Sequence, residues 1–171
     1  MEKDEIIADI EQTIAWVTKV IDPITYNKVP FEGSWTAGQV VEHILMVGNG
    51  FTQLLSGPNE TTTRSVDEHV PRIKTILLDF NTKSIASDNI TPEQVEYDIQ
   101  DHLTRLEKLK TAITTAVKSL DLNRTCIAFD IKTFGHLTGL EATYFFLFHT
   151  KKHVHQLQNI FKKLNNPAYI S

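Results

Sequence analysis

Residues 145–160 read Phe-Phe-Leu-Phe-His-Thr-Lys-Lys-His-Val-His-Gln-Leu-Gln-Asn-Ile. In an α-helix, side chains three or four positions apart stack on one face, so His149, His153 and Gln156 share a face. The same face continues backward to Phe145, which makes it the apolar face that a helix turns toward a core. Polar side chains on such a face need partners, because an unpaired buried polar group costs free energy. A bound metal ion is one partner that would satisfy both imidazoles.

Two amphipathic helices are predicted in the N-terminal third of the chain. Helix one runs from about Lys3 to Val20, and its apolar residues recur at alternating three- and four-residue steps, as in helix bundles. These residues are Ile7, Ile10, Ile14, Val17 and Ile21. Helix two is predicted to begin at Thr36, because Thr36-Ala37-Gly38-Gln39 has the form of a capping box. It continues to about Ser56 and ends at Gly57-Pro58.

Two further helices follow in the C-terminal half. Helix three is predicted to begin at Thr91, since Thr91-Pro92-Glu93-Gln94 resembles a capping box with proline at the first helical position. Its apolar stripe consists of Ile99, Leu103, Leu106, Ile113, Val117 and Leu120. Helix four is capped by Thr138-Gly139-Leu140-Glu141 and runs to about Leu164.

The connection between helices two and three is long, and it covers residues 59–89. Only residues 72–80 within it favour a short helix, and residues 122–134 favour an extended loop or a small hairpin. A long crossover of this kind lets two consecutive helices of a bundle run parallel. The sequence therefore predicts one all-α domain over residues 1–171, a four-helix bundle with a long crossover.

Composition excludes several classes of protein. The net charge is −4 and the basic residues are scattered, so no nucleic-acid partner is expected. The single cysteine, Cys126, cannot form an intrachain disulfide, is most simply a small packed residue and fits a reducing compartment. The acidic N-terminus does not resemble a signal peptide, and no apolar run has the length of a membrane helix. We expect a cytoplasmic protein without a membrane partner.

Three histidines are predicted to lie on inward-facing helix surfaces. His43 lies in the middle of the apolar face of helix two, and His149 and His153 lie on that of helix four. If the two helices converge, three imidazoles surround one point and leave a fourth position open, as in catalytic zinc sites. Imidazole also suits nickel, iron and copper. The alternative is that each histidine is a buried residue bonded to the backbone, and spacing alone does not decide between the two.

The other four histidines are weaker candidates for a metal site. His155 projects about 120° away from His149 on a helix and is expected to be solvated. His69 and His136 fall in predicted loops. His102 lies on the flank of the apolar stripe of helix three, where a boundary position is expected.

Two other polar residues of helix four bear on the chemistry. Gln156 lies one turn after His153 and could orient that imidazole through a hydrogen bond, or cap a buried carbonyl. Thr150 follows His149, where a protease of the His-Glu-x-x-His class carries its general base. That class of protease is therefore disfavoured.

These same segments carry a family resemblance. Trp35-Thr36 followed by Val40-Val41-Glu42-His43-Ile44 resembles the second-helix motif of the DinB/YfiT-like metalloenzymes. Their fourth-helix motif is similar to Phe134-Gly135-His136-Leu137-Thr138, then Glu141, then His149, His153 and Gln156. The resemblance spans most of the chain in element order. Phe145 departs from it, because a tryptophan or another bulky residue often stands nearby in this family.

The resemblance implies a fold and a range of activities. It implies a bundle wound up-down-down-up, with a divalent metal ion held by His43, His149 and His153. Zinc is the favoured ion, with nickel or iron as alternatives. Family members include transferases that use low-molecular-weight thiols such as bacillithiol, a mycothiol-dependent isomerase and proteins described as hydrolases, and many are dimers. We therefore expect a thiol S-transferase acting on a small molecule, and a homodimer. A metal-dependent hydrolase and a non-catalytic binding bundle are the alternatives.

Overall fold

The computed structural model describes residues 3–82 and 86–165. Within these ranges the chain forms five α-helices: α1 Lys3–Lys19, α2 Ala37–Ser56, α3 Val70–Leu77, α4 Ile99–Ser119 and α5 Gly139–Asn165. The connections contain two short strands, β1 Asn59–Glu60 and β2 Thr125–Cys126, and one 3-10 turn at Asp88–Ile90.

Helices α1, α2, α4 and α5 form the bundle, and they correspond to the predicted helices one to four. Helices α1 and α2 each pack against both α4 and α5, so α1 and α2 lie diagonally opposite each other. Each helix contributes an apolar stripe to one core, which includes Ile10, Ile14, Ile44, Leu54, Leu106, Ile113, Leu147 and Leu157. The prediction of an all-α four-helix bundle, wound up-down-down-up with a long crossover, is confirmed.

The predicted caps of helices two and four form as expected. At α2, Thr36 Oγ1 accepts from the backbone N–H of Gln39 at 3.1 Å, and the Gln39 side chain accepts from the N–H of Thr36 at 3.0 Å. At α5, Thr138 Oγ1 accepts from the backbone N–H of Glu141 at 3.1 Å, and the Glu141 carboxylate accepts from the N–H of Thr138 at 3.0 Å. Because each cap satisfies backbone donors that the helix leaves unpaired, it fixes where the helix begins.

The predicted start of helix three is wrong. The helix begins at Ile99 rather than Thr91, and Asp98 is its N-cap residue. Residues 91–98 are held outside the helix by side chains that are distant in the sequence. Asn27 donates to the carbonyl of Tyr97 at 3.0 Å and accepts from its N–H at 2.9 Å. These tertiary hydrogen bonds outweigh the local capping signal.

The crossover is tied to the N-terminal end of α5. Both terminal nitrogens of Arg64 donate to the carboxylate of Glu141, at 2.6 and 2.7 Å, and the N–H of His69 donates to it at 2.8 Å. The short helix expected within the crossover is present as α3, which packs on α5. The sequence predicts an extended loop or a small hairpin over residues 122–134. Strand β2 lies in this segment and pairs with β1 of the crossover.

Gly48 marks a place where α2 closely approaches its two neighbours. A Cβ atom at this position would lie 2.5 Å from Leu109 Cδ2 of α4 and 3.0 Å from Phe146 Cε2 of α5. Real Cβ atoms do not approach this closely, so a side chain at this position would force Leu109 or Phe146 to shift. The contact lies five residues after His43 on the same helix.

Candidate metal centre

The structure brings the three predicted histidines together. His149 Nε2 lies 3.1 Å from His43 Nε2 and 3.2 Å from His153 Nε2. His43 comes from α2 and is buried, whereas His149 and His153 come from successive turns of α5 and are half-buried. Within the described ranges, no aspartate, glutamate or cysteine joins this group of potential ligands.

Hydrogen bonds on the far side of two rings determine which nitrogen faces the centre of the cluster. The Nδ1–H of His43 donates to the carbonyl of Ile90 at 2.7 Å, and the Nδ1–H of His153 donates to Gln156 Oε1 at 2.8 Å. In a neutral imidazole the other nitrogen then carries a lone pair. The Nε2 lone pairs of both rings therefore point toward His149 Nε2, as metal ligands do.

The distances from His149 Nε2 to the Nε2 atoms of the other two rings fit a divalent metal ion. Zinc–nitrogen bonds of about 2.0 Å at tetrahedral angles place the nitrogens about 3.3 Å apart, and octahedral angles at about 2.1 Å place them about 3.0 Å apart. The observed 3.1 and 3.2 Å lie between these values. Without an ion, the two lone pairs share at most one proton, that of His149 Nε2. A cation therefore accounts for the arrangement better than hydrogen bonds alone.

Burial keeps the three imidazoles neutral near pH 7. It lowers the pKa of His43, and the bond to Ile90 offsets part of that effect. Burial, together with the neighbouring His43, lowers the pKa of His153 to about 3, and the bond to Gln156 offsets part of that effect. The pKa of His149 lies well below its ordinary value, because its ring is buried next to His153 and His43. Metal binding requires neutral imidazole, so no proton has to be displaced at neutral pH.

His149 has one unsatisfied atom. Its Nδ1 is buried and has no hydrogen-bond partner in the described part of the chain. The imidazole is held instead by packing, because the ring of Phe145 lies nearly parallel to it, at 16° and 6.3 Å between centroids. Trp35 packs against the His43 ring at 5.2 Å.

His102 is not a boundary residue, contrary to the sequence-based expectation. It is buried, and it belongs to a second polar cluster that includes Glu42 of α2. Its Nε2–H donates to the carboxylate of Glu42 at 2.8 Å, and its Nδ1 accepts from the hydroxyl of Tyr26 at 2.6 Å. Arg105 donates to both oxygens of Glu42, at 2.7 and 2.8 Å. Burial raises the pKa of Glu42, but the bonds from Arg105 and His102 outweigh it, so the pKa is lowered.

The other histidines also lie outside the cluster. The expectation that His155 is solvated is wrong, since its ring is half-buried and stacks on Phe80 at 4.3 Å and 12°. His136 is exposed and lies 3.5 Å from Asp130. His69 lies directly before α3 and contacts the ring of Phe134 at 5.7 Å. Cys126 is buried, as expected for a packed residue, and burial raises the pKa of its thiol.

Sequence reasoning missed two groups near the centre. The carbonyl of Ile90 bonds His43 from the crossover, and no sequence signal marks a backbone carbonyl. The cluster of Glu42 and His102 did leave a signal. His102 and Arg105 are three residues apart on α4, so two groups able to bond a carboxylate share a helix face.

In the described ranges, none of the helices combines the length and the apolar character needed to cross a membrane.

The fold and the site together define a helical bundle with a cluster of three histidines at the junction of α2 and α5. The family model of the DinB superfamily matches residues 3–157, and the chain belongs to this superfamily. Comparison with curated proteins gave no match. Among solved structures, the chain is similar to TT2238, described as a four-helix bundle protein. The TM-score is 0.59 at 18% identity, over 92% of this chain and 99% of that one.

Proposed function

We propose that the protein is a metal-dependent enzyme that activates a low-molecular-weight thiol for transfer to an electrophilic small molecule. The observation that carries this proposal is the convergence of three Nε2 atoms, two of them held as lone-pair donors by Ile90 and Gln156. A divalent ion bound by three neutral imidazoles keeps its two positive charges and lowers the pKa of a thiol or water molecule beside it. Zinc is the proposed ion, with nickel and iron as alternatives.

The residues around the cluster disfavour hydrolysis of the His-Glu-x-x-His protease type. Proteases of the His-Glu-x-x-His class use a glutamate as general base, and no described carboxylate belongs to the histidine cluster. Thr150 occupies the position of that base in His-Glu-x-x-His proteases, and its hydroxyl instead donates to the carbonyl of Phe146 at 2.8 Å. Thiol transfer does not require that glutamate, because the proton of the thiol can pass to solvent.

The chain's own residues would bind and orient the reactants. Gln156 and Ile90 hold the rings of His153 and His43, and Trp35 and Phe145 pack against the cluster and limit the access of water. The thiol loses its proton to solvent, and its sulfur forms a bond to the electrophilic carbon. The leaving group departs with the bonding electron pair. The reducing cytoplasm, in which such thiols are abundant, is the compartment that this proposal implies.

A pair of variants on α5 tests the metal site. We expect His153→Ala to lose the bound metal, since two imidazoles hold a divalent ion weakly in competition with water. His155→Ala changes a neighbouring imidazole outside the cluster and should retain the metal. Metal content after incubation with zinc, measured by elemental analysis, provides the comparison. Equal metal loss in both variants would show that the wrong face of α5 has been assigned.

Turnover separates the candidate activities. The zinc-loaded protein should consume electrophiles such as chloronitrobenzenes only when a thiol is present, and His153→Ala should abolish that reaction. Turnover of esters or amides without a thiol would favour the hydrolase. Stable metal binding without any turnover would favour a non-catalytic bundle. If zinc is catalytic rather than structural, metal-free protein still folds cooperatively, because the four helices already supply an apolar core.

A further inference from the structure

A series of aromatic rings leads from the histidine cluster to a cationic side chain. Phe145 lies one turn before His149 on α5, with its ring stacked on the imidazole at 6.3 Å. Phe134 meets the ring of Phe145 edge-on, at 84° and 6.3 Å. The guanidinium of Arg72 lies over the ring of Phe134, 5.3 Å from its centroid. These contacts form a continuous track of side chains, which we call the aromatic track: Phe145, Phe134 and Arg72.

The aromatic track is packed against the core on its inner side and partly exposed on its outer side. Phe51 of α2 is buried and stacks under Phe145 at 5.1 Å and 18°, so the inner face of Phe145 is filled. Phe145 and Phe134 remain half-buried, which leaves part of each ring accessible to solvent. Partly exposed apolar rings beside the histidine cluster suit a ligand with an apolar body, because its burial removes apolar surface from water.

Arg72 supplies a charge at the far end of the track. Its side chain is exposed, and it makes no ion pair with any residue of the described ranges. A guanidinium that lies over an aromatic ring is held in place by that contact, while the N–H donors at its edge stay available. These donors match the two oxygens of a carboxylate or a phosphate.

We propose that this site takes an amphipathic small molecule that has an apolar body and a terminal carboxylate or related oxyanion. Its reactive group lies at the three histidines, its body lies on Phe145 and Phe134, and its anion pairs with Arg72. This assignment rests on the proposed function, because it requires that the reactive group bind at the cluster. A purely structural role for Arg72, which stabilises the loop of Phe134, is the competing explanation.

Binding of thiols of increasing length to the zinc-loaded protein tests the proposal. The probes are mercaptopropanoate, mercaptohexanoate and mercaptoundecanoate, with neutral alkanethiols of the same lengths, and binding is measured by titration calorimetry. We expect Arg72→Gln to weaken binding of the longest carboxylates about tenfold or more, since hydrogen bonds to charged groups are strong. Binding of the neutral thiols should not change. The chain length at which the effect begins measures the distance from the cluster to Arg72.

Lys74→Gln is the matched control. Lys74 is also exposed, lies on the same short helix and carries the same charge. Lys74→Gln should leave the affinities for the carboxylate thiols and for the neutral thiols unchanged. The zinc content should be the same in Lys74→Gln and Arg72→Gln. Equal weakening in Lys74→Gln and Arg72→Gln would overturn the proposal, because it would reflect net charge only. An unchanged carboxylate affinity in Arg72→Gln would overturn it as well.

A third set of probes separates this proposal from the proposed function. Hexanoate and dodecanoate lack the thiol and test the aromatic track alone. If no thiol binds the zinc-loaded protein, the proposed thiol chemistry is wrong. In that case, dodecanoate binding to the parent that is lost in Arg72→Gln would still support the aromatic track as a binding site. If dodecanoate does not bind, or binds the parent and Arg72→Gln equally well, the aromatic track is overturned.

Discussion

Acidification of the metal-free protein should destabilise it through the histidine cluster. Burial lowers the pKa of His43, His149 and His153 in the folded protein, to about 3 for His153. In the unfolded chain each imidazole titrates near a pKa of about 6.5. Between these values the unfolded state binds protons that the folded state does not. The free energy of unfolding therefore falls as the pH falls through about 6.5, and the loss continues toward pH 3.

The magnitude for His153 alone follows from its folded pKa. From pH 7 to pH 5, an imidazole that stays neutral when folded and becomes protonated when unfolded costs about 2 kcal/mol. In a domain of this size, that corresponds to a decrease in the melting temperature of roughly 4–8 °C. His43 and His149 add to the loss, because their pKa values are lowered as well.

Denaturant unfolding at pH 7, 6 and 5 in the presence of a chelator measures the effect. His153→Gln keeps a polar side chain but removes the imidazole, so the pH-dependent loss of stability should be smaller than in the parent by about 2 kcal/mol. His136→Gln is the control, since its ring is exposed and lies outside the cluster. If the parent and His153→Gln lose stability equally over this range, the imidazole is not held neutral by its surroundings and the reasoning is refuted.

Two further predictions concern the anchor of the crossover and the assembly. Arg64→Leu leaves the fully buried carboxylate of Glu141 without its cationic partner and should lower the free energy of unfolding by about 3 kcal/mol. Chemical denaturation measures this loss. The double variant Arg64→Leu with Glu141→Gln should recover part of it. A loss below about 1 kcal/mol would show that the backbone N–H donors alone stabilise the Glu141 carboxylate. The homodimer stays a prediction: light scattering at tens of micromolar should give twice the chain mass of 19.4 kDa, and the mass of a single chain would contradict it.

The parts of the fold that depend on neighbouring residues could be predicted from the sequence. The caps at Thr36 and Thr138 bond groups three residues away, so the same short pattern specifies them in any context. The convergence of His43 with the histidines of α5 was also predictable, because helical periodicity places each of them on an apolar face. Two apolar faces that meet in one core bring such residues together.

Features that depend on distant residues could not be predicted in this way. The pattern at Thr91 has the form of a helix start, yet Asn27 holds residues 91–98 outside the helix by bonding Tyr97. Nothing near Thr91 in the sequence reveals that bond. The buried position of His102 cannot be predicted for the same reason, because its hydrogen bond partner Glu42 lies on another helix. Local patterns specify where a helix can begin, whereas long-range hydrogen bonds decide whether it does.

The close approach at Gly48 has a consequence for which ion the site would prefer. His149 and His153 are one turn apart on a continuous helix, so the helix itself fixes their separation. His43 alone approaches from another helix, and its distance from them depends on how closely α2 packs against α5 near Gly48. The packing of α2 against α5 therefore contributes to the separation of the three nitrogens, and so to the size of the ion that they would fit. Core substitutions near Gly48 are therefore expected to change this separation while all three histidines stay in place.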